Sequence, residues 1–305
     1  MYAARAQVFP IKPIRIVNPA APGGNSDIFF RQLQPRMNEL LGQPLVMDYR
    51  PGAGGTVGGE AIARSAPDGY TTGLMAASFV INPAMIRKMP YDTAKDFTAL
   101  GIILDVPSGL VVHPSLPVRS VKQLIALAKT RPGQIFYSTS GRGTVGHLAA
   151  ELLNSTAGIN LVHVPYKGAG PAVIDLLAGH IQLQFASIPL LVGHVQSGKL
   201  RMIAQTGEKR AAFAPDVPTM IESGVPGFVV RSPFGFVGPA GMPKPIVDRL
   251  NGALVTAIRD PENHKALIKN GAEPIGTSPE EHAASIKSEI DKWKKVARDA
   301  NIEPQ

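Results

Sequence analysis

The segment of residues 14–42, IRIVNPAAPGGNSDIFFRQLQPRMNELLG, contains the unit from which the fold class can be inferred. Its first four residues, of which three are β-branched and apolar, are typical of a strand. Two glycines then interrupt the chain, apolar residues recur at helical spacing from Ile28 onward, and Gly42 is a suitable helix end. Pro35 lies inside this helix, where we expect a kink or a local break. A strand, a Gly-rich turn and a helix in this order are typical of an α/β protein.

The same alternation of strands and helices continues along the chain. Further strands are predicted at residues 45–49, 71–75, 135–138, 161–164, 181–185 and 200–204. Helices are predicted at residues 57–65, 144–157, 171–179, 190–196, 243–258, 262–269 and 279–299, with another that begins at Ser120. Because helices separate the strands, the sheets should be largely parallel.

The length of the chain predicts two lobes. A chain of 305 residues is too long for one hydrophobic core and suits two of them. No low-complexity linker is present, so we expect crossing strands, outward at residues 110–112 and returning at residues 228–237. The first lobe would then comprise residues 1–109 with 231–305, and the second lobe residues 110–230.

Composition and charge exclude several classes of protein. The chain contains no cysteine, which rules out disulfides, a thiol nucleophile and cysteine-ligated metals. The net charge is +8, and it lies in the first 238 residues because ten basic and ten acidic residues cancel after them. The basic residues are scattered and aromatic residues make up only 6%, which argues against nucleic-acid binding and favours a field that attracts small anions. No apolar run approaches the roughly 18 residues that span a bilayer.

Residues 1–6 bear on localisation. Ala4-Arg5-Ala6 has the small-x-small form of a signal-peptidase site, although the basic and apolar regions that normally precede such a site are missing. We interpret residues 1–6 as the stub of a removed export signal. An ordinary frayed N-terminus is the alternative.

Three Gly-rich turns occur where a predicted strand ends and a helix begins, at residues 22–26, 138–144 and 166–170. A helix N-terminus exposes unpaired N–H groups and a partial positive charge, which suit an anion. In open α/β sheets such turns lie at the carboxyl ends of strands, where ligands bind. None of the three ends as a phosphate loop or completes a dinucleotide fingerprint. Together with the basic excess, they predict a small anionic ligand.

Motifs spread over nearly the whole chain resemble the Bug family, the TctC-like solute receptors of tripartite tricarboxylate transporters. The motifs are Lys12-Pro13-Ile14-Arg15-Ile16-Val17, Ala21-Pro22-Gly23-Gly24 with Asp27 and Arg31, Gly42-Gln43-Pro44, Arg50-Pro51-Gly52-Ala53-Gly54-Gly55, Ala66-Pro67-Asp68-Gly69-Tyr70, Ile81-Asn82-Pro83, His163-Val164-Pro165-Tyr166-Lys167-Gly168, Asp216-Val217-Pro218-Thr219 and Gly238-Pro239-Ala240-Gly241. The resemblance implies a two-lobed, type II-like "Venus flytrap" fold. It also implies a periplasmic receptor that captures a carboxylate and delivers it to membrane permease subunits.

The resemblance implies ligand-binding positions in both lobes. One ligand carboxylate would be held in the first lobe by the turn Pro22, Gly23, Gly24 and Asn25 and near Ser78, with Phe79 as an apolar wall. In the second lobe the rest of the ligand would meet Thr139, Ser140, Gly141, Arg142, Gly143, Thr144, Tyr166, Ala186 and Ser187.

Two departures from the family pattern bear on the ligand. Arg142 stands where many members carry Asn, and it could bind a second carboxylate in a bidentate manner. Ala186 stands where many members carry Asp. Losing an acid and gaining a base disfavours amino acids and favours a dianion. We therefore expect a di- or tricarboxylate, aliphatic or aromatic, with a monocarboxylate as the alternative. The alternative for Arg142 is a solvated loop residue.

The sequence leaves three alternatives to a transport receptor to consider: a hydrolase, a metal or cofactor protein, and a sensor. A hydrolase would need a nucleophile and a base, but no elbow motif or orienting acid accompanies Ser138, Ser140 and His147. His147, His163 and His180 lack metal-ligand spacing, so neither a metal nor a cofactor is expected. An extracytoplasmic sensor that binds the same ligand for a signalling kinase remains open. We expect a monomer, because a receptor needs a free face for docking.

Overall fold

The computed structural model describes residues 9–212 and 214–304, so the export-signal interpretation of residues 1–6 lies outside the described residues. The strands are β1 Ile14–Asn18, β2 Leu45–Tyr49, β3 Thr71–Met75, β4 Phe97–Asp105, β5 Ser108–Val112, β6 Ile135–Thr139, β7 Leu161–Pro165, β8 Leu183–Ser187, β9 Arg201–Gln205, β10 Pro233–Pro239 and β11 Glu273–Pro274. The helices are α1 Asn25–Leu41, α2 Thr56–Ala63, α3 Ser78–Met85, α4 Val121–Thr130, α5 Val145–Ala157, α6 Ala169–Leu177, α7 Ile188–Gln196, α8 Lys244–Arg259, α9 Pro261–Lys269 and α10 Pro279–Asp299, with a short 3₁₀ turn at Ala53–Gly55.

The strands form two mixed sheets, one in each lobe. The first sheet has the order β11-β4-β10-β3-β1-β2, with β1 parallel to β2 and β3, and β10 antiparallel to β3 and β4. The second has the order β7-β6-β8-β5-β9, with β6 parallel to β7 and β8, and β5 antiparallel to β8 and β9. The expected α/β fold is therefore present, with one antiparallel strand inside each sheet, β10 and β5, and the short β11 antiparallel at the edge of the first sheet.

The first sheet is buried on both faces, which explains its apolar strands. Ile14, Ile16 and Val17 of β1 are fully buried. Ile14 and Ile16 pack in a core shared with α1 and α8, whereas Val17 joins a second core that reaches α2 and α10. A strand covered on both faces is expected to be nearly continuous in apolar residues. β1 follows this rule at Ile14, Ile16 and Val17 and departs from it at Arg15, which is exposed.

Two adjacent segments cross between the sheets. The chain leaves β4 at Asp105 and enters β5 at Ser108, and it returns immediately before β10. The N–H of Ser232 donates to Oδ1 of Asp105 over 2.7 Å, and the N–H of Val106 donates to the Ser232 carbonyl over 3.2 Å. The prediction of an outward crossing at residues 110–112 is wrong, because this apolar run is a buried strand inside the second sheet. The polar Asp105 marks the crossing instead.

The C-terminal helix α10 connects both lobes. It contacts α3 and β4 of the first lobe and α5 of the second. Trp293, on this helix, is fully buried in a core cluster that also contains Leu148 of α5 and Phe79 of α3. Because α10 packs on both lobes, any change in their separation must be accommodated at this helix as well as at the two crossing segments.

Local elements follow the predicted order, but they differ at Pro35 of α1, at α3, and at β4 and the two-residue β11, which were not predicted as strands. Helix α1 runs without a break through Pro35 and ends at Gly42, whose φ of 71° lets its N–H bond to the Asn38 carbonyl over 2.8 Å. The expected local break at Pro35 is therefore absent. Helix α3 was not predicted from the sequence, because its eight residues include Pro83 and are almost entirely buried, which removes the helical periodicity.

Candidate functional site

A cavity of about 450 Å³ opens at the carboxyl ends of β1 and β3 in the first lobe. We call it the first cavity. Its lining comprises residues 18–21, 26, 51–55, 74–76, 78, 79, 82 and 91, all of them uncharged. The site lies where open α/β sheets bind ligands, beyond the ends of parallel strands.

Asn18 supplies a buried hydrogen-bond donor to this lining. Its side chain is fully buried, and its Oδ1 accepts from the N–H of Ala20 over 3.1 Å and from Oγ of Ser26 over 3.0 Å. The bond from a backbone N–H fixes which side-chain atom is oxygen. The amide nitrogen of Asn18 then has no acceptor within the described parts of the chain. A buried donor without a partner is costly, so this nitrogen is suited to an oxygen of a ligand.

The loop of residues 52–55 forms another wall of the first cavity. Ala53 has a φ of 43°, and Gly54 has a φ of 65° with its carbonyl accepting from Nδ2 of Asn82 over 3.0 Å. Gly52 and Gly55 also have positive φ values, of 141° and 94°. Only a Gly-rich sequence follows such a path without large strain. This loop therefore needs its glycines for its shape.

The predicted turn at residues 22–25 borders the first cavity but does not line it. Pro22, Gly23 and Asn25 are exposed, and Gly24 is partly buried. The flanking residues Ala21 and Ser26 line the cavity instead. Ser78 and Phe79 do line it.

Asp27 organises this turn. It is 4% exposed and accepts from the N–H of Gly23 over 2.9 Å, from Oη of Tyr49 over 2.6 Å and from Nε of Arg31 over 2.7 Å. Burial alone would raise the pKa of Asp27, but the hydrogen bonds from Tyr49, Gly23 and Arg31 outweigh it and lower the pKa below its usual value. The N-terminus of α1 thus carries a permanent internal carboxylate.

A second cavity, of about 250 Å³, lies in the second lobe next to the crossing segments. Among the predicted residues, Ser140, Thr144, Ala186 and Ser187 line it. Ser108 and Ser232 of the crossing segments and the buried Gln184 contribute the other polar groups, and the lining carries no charge. The carbonyl oxygen of Gln184 finds no donor in the described ranges.

The turn before α5 is held by its own side chains. Oγ1 of Thr144 donates to the Gly141 carbonyl over 2.8 Å, and the N–H of Gly141 donates to Oγ1 of Thr139 over 3.2 Å. Tyr166 braces the turn from behind, since its N–H donates to the Thr139 carbonyl over 3.0 Å and its Oη donates to Asp175 over 2.5 Å. Thr139, Gly141 and Tyr166, all predicted to meet the ligand, thus shape the turn without lining a cavity.

Two stacked histidines lie beneath this turn. The rings of His147 and His163 are 4.1 Å apart, and the N–H of Gly143 donates to Nδ1 of His147 over 3.2 Å. Burial, with a smaller contribution from the charge of Arg142, lowers the pKa of His147 to about 4. Burial, His147 and Arg142 lower the pKa of His163 to about 3. Both imidazoles are therefore neutral at pH 7, and the positive charge at this turn belongs to Arg142.

A third cavity, of about 210 Å³, lies between the lobes. Arg142 and Gly143 line it from the second lobe, while Ala53, Gly54 and Asn82 line it from the first. The last three residues also line the first cavity. Arg142 is exposed and forms no ion pair with any residue that the structure describes. The loop of residues 52–55 in the first lobe and the turn before α5 in the second lobe thus line one crevice.

Comparisons with known proteins identify the family. A family model described as tripartite tricarboxylate transporter family receptor matches residues 29–302. The chain belongs to this receptor family. BugT of Bordetella pertussis is 35% identical over 296 residues, which cover 96% of this chain and 91% of that protein.

Solved structures support the same assignment to this receptor family. An R. palustris protein with adipate is 35% identical, with a TM-score of 0.81 over 97% of this chain and 100% of the other. MatC of Rhodopseudomonas palustris with bound malate is 29% identical, with a TM-score of 0.76 over 94% of this chain and 99% of the other. The two-lobed periplasmic-binding-protein fold inferred from the sequence is confirmed.

Several lining residues of this receptor were not predicted from the sequence. Asn18, Asn82 and Tyr91 line the first cavity, as does the loop of residues 52–55. A signal was available for the loop, because four positions with three glycines follow a strand, as in the turns that were singled out. Within the described part of the chain, no cluster of three or more His, Cys, Asp or Glu side chains could hold a metal ion. Over the same residues, no helix is long and apolar enough to cross a bilayer.

Proposed function

We propose that this chain is a periplasmic receptor that captures a small organic dicarboxylate between its two lobes and presents it to the permease of a tripartite tricarboxylate transporter. The lobes would comprise residues 1–107 with 231–305 and residues 108–230. The outward boundary expected after residue 109 is placed after Pro107, because β5 pairs within the second sheet. Family membership supports the receptor function and the periplasmic location.

One observation carries the proposal. The turn with Arg142 and the loop with Gly54 line the same cavity from opposite lobes, and Gly54 also lines the first cavity. A ligand with one carboxylate in the first cavity could therefore extend its other end toward Arg142. Closure of the lobes on such a ligand would bring both sets of donors onto it.

The chemistry of the lining suits a carboxylate. The first cavity offers the unpaired amide of Asn18, the hydroxyl of Ser78 and the N-terminal region of α1 at Ser26, all neutral donors. A hydrogen bond to a charged group contributes roughly 1.5–3 kcal/mol, and a helix terminus roughly 0.3–1 kcal/mol. Several such donors reach the about −8 kcal/mol of micromolar binding even after association costs.

The distal group of the ligand is proposed from Arg142 and Ala186. Ala186 leaves the second cavity without an acidic side chain that could pair with an ammonium group. Arg142 adds an unpaired guanidinium, which binds carboxylates in a bidentate manner. Adipate and malate, found with two structural relatives, both carry two carboxylates and are the first ligands to test.

A panel of mono-, di- and tricarboxylates tests the proposal, with calorimetry for the dissociation constant and the shift in melting temperature as a second readout. We expect dicarboxylates to bind best. Arg142→Gln should weaken them about tenfold or more and should leave monocarboxylates nearly unchanged, because only the distal carboxylate loses a partner. The matched control is Arg119→Gln, which removes an exposed arginine that lines none of the three cavities. Equal weakening of mono- and dicarboxylates by Arg142→Gln would contradict the role given to this residue.

The alternatives give different outcomes in the same experiment. A sensor for a signalling kinase would bind the same panel of carboxylates. A pull-down of the adipate-bound protein distinguishes the two functions, because a transport receptor would be retained by the purified permease and a sensor by a kinase ectodomain. A hydrolase would convert its ligand. His147 does not favour a hydrolase, since its Nδ1 accepts from Gly143 and no serine hydroxyl within the described residues bonds to it.

A further inference from the structure

The segment that follows α10 enters the crevice between the lobes. Asn301 has a φ of 52°, which reverses the chain, and the N–H of Ile302 then donates to the Ala297 carbonyl over 2.8 Å. The side chain of Ile302 packs against the core cluster that spans both lobes. This anchoring places Ile302 and Glu303 in the lining of the third cavity, to which Arg142 also belongs.

Glu303 brings a negative charge to a site whose other charged residue is positive. Within the described residues, Arg142 and Glu303 are the charged members of this lining, and they are not close enough to form an ion pair. Both are exposed, so each is available to a ligand that enters the cavity. The carboxylate of Glu303 would attract the guanidinium that a distal carboxylate needs, and it would repel that carboxylate directly.

We infer that Glu303 determines specificity, because its carboxylate lines the same cavity as Arg142 and a second ligand carboxylate must overcome its negative charge. The inference rests on the proposed function, since it concerns the far end of the same crevice. The receptor would thus bind dicarboxylates less tightly than Arg142 alone allows. Tight binding slows release, so a moderated affinity favours transfer of the ligand to a permease.

The experiment compares ligand pairs that differ in one carboxylate. Adipate is paired with hexanoate, and malate with 3-hydroxybutyrate. Glu303→Gln should tighten adipate and malate about threefold to tenfold and should change hexanoate and 3-hydroxybutyrate by less than about twofold, because only the dianions place charge in the third cavity. The gain should shrink between about 20 mM and 500 mM salt, as expected for exposed charges.

A matched control separates this local effect from the change in net charge. Glu208 is exposed and lines none of the cavities, so Glu208→Gln alters the net charge equally and should change no affinity. If Glu303→Gln leaves adipate and malate unchanged, or tightens the monocarboxylates equally, the inference is overturned while the receptor function stands. If the unmodified protein binds none of the carboxylates, the proposed function fails and the inference fails with it.

Discussion

In the first lobe the N–H of Gly23 donates to the side chain of Asp27, and in the second lobe the N–H of Gly143 donates to the side chain of His147. Both glycines have φ values in the left-handed region, 78° and 72°, and both partners lie four residues later on the first turn of a helix. The two turns therefore share one backbone device. They differ in charge, since Asp27 is anionic and His147 is neutral at pH 7.

Because of this difference, the two lobes would interact with an anionic ligand in different ways. The carboxylate of Asp27 is the internal anion of the first turn, and its charge is balanced by Arg31. The first lobe can then offer a ligand neutral donors such as Asn18. In the second lobe the neutral His147 leaves Arg142 without an internal partner in its own turn, so the positive charge remains available. An anion would be positioned by dipoles in one lobe and selected by charge in the other.

Among the changes that test the difference between the two turns, Asp27→Ala should have the largest effect on the free energy of unfolding. It removes three charge-assisted hydrogen bonds from a buried carboxylate and leaves the N–H of Gly23 without its acceptor, so we expect a loss of about 2–4 kcal/mol in the free energy of unfolding. Urea denaturation at pH 7 measures it. Asp248→Ala, which breaks an exposed ion pair with Lys244, is the control and should cost about 0–1 kcal/mol. A similar loss in both variants would show that Asp27 acts as an ordinary surface charge.

The strands and helices that flank both turns could be predicted from the sequence. The hydrogen bond from each left-handed glycine to the side chain four residues later could not. Apolar periodicity and glycine positions fix β1 and α1 to within one or a few residues. The bond from Gly23 to Asp27 depends instead on a left-handed φ and on one side-chain rotamer. An acid in a first turn complements the helix dipole in any helix, so the presence of Asp27 in the sequence does not by itself indicate this bond.

Which residues line the crevice between the lobes could also not be predicted from the sequence. Arg142 and Glu303 are 161 positions apart, and nothing in their local patterns indicates that they line one cavity. Their proximity follows from the packing of α10 on both lobes. The family resemblance implied that the turn at residues 22–25 holds a ligand carboxylate, whereas the path of the chain places the flanking Ala21 and Ser26 on the cavity.

The second prediction concerns pH, because the two turns should lose stabilisation in different pH ranges as the solution is acidified. Because the pKa of His147 is lowered to about 4 in the folded protein, the unfolded chain takes up this proton first as the pH falls. The stabilisation is complete above the unfolded pKa of about 6.5 and is lost between there and pH 4, by about 2 kcal/mol at pH 5. The lowered pKa of Asp27 acts only below about pH 4, where its stabilisation is lost as the carboxylate becomes protonated.

His147→Gln tests the pH prediction, because glutamine can still accept from Gly143 but does not titrate. The difference in unfolding free energy between pH 7 and pH 5 should be smaller than in the unmodified protein by about 2 kcal/mol. His264→Gln, at an exposed position on α9, should leave that difference unchanged. An unaltered pH dependence in His147→Gln would mean that this imidazole is not kept neutral by burial.

The smallest predicted effect is a difference in stability and in lobe closure between the variants Gly23→Ala and Gly143→Ala. Gly23→Ala and Gly143→Ala both force a side chain into the left-handed region, at about 1 kcal/mol each. A Cβ at Gly23 would meet nothing within 4 Å, whereas a Cβ at Gly143 would lie 3.2 Å from Cε of Met85, on α3 of the other lobe. Gly143→Ala should therefore cost up to about 1 kcal/mol more and should reduce the compaction that adipate produces in small-angle scattering. The double variant Gly143→Ala/Met85→Ala should restore compaction, because the added methyl group then has room. If Gly23→Ala reduces compaction as much as Gly143→Ala does, contact between the lobes at Met85 does not limit closure.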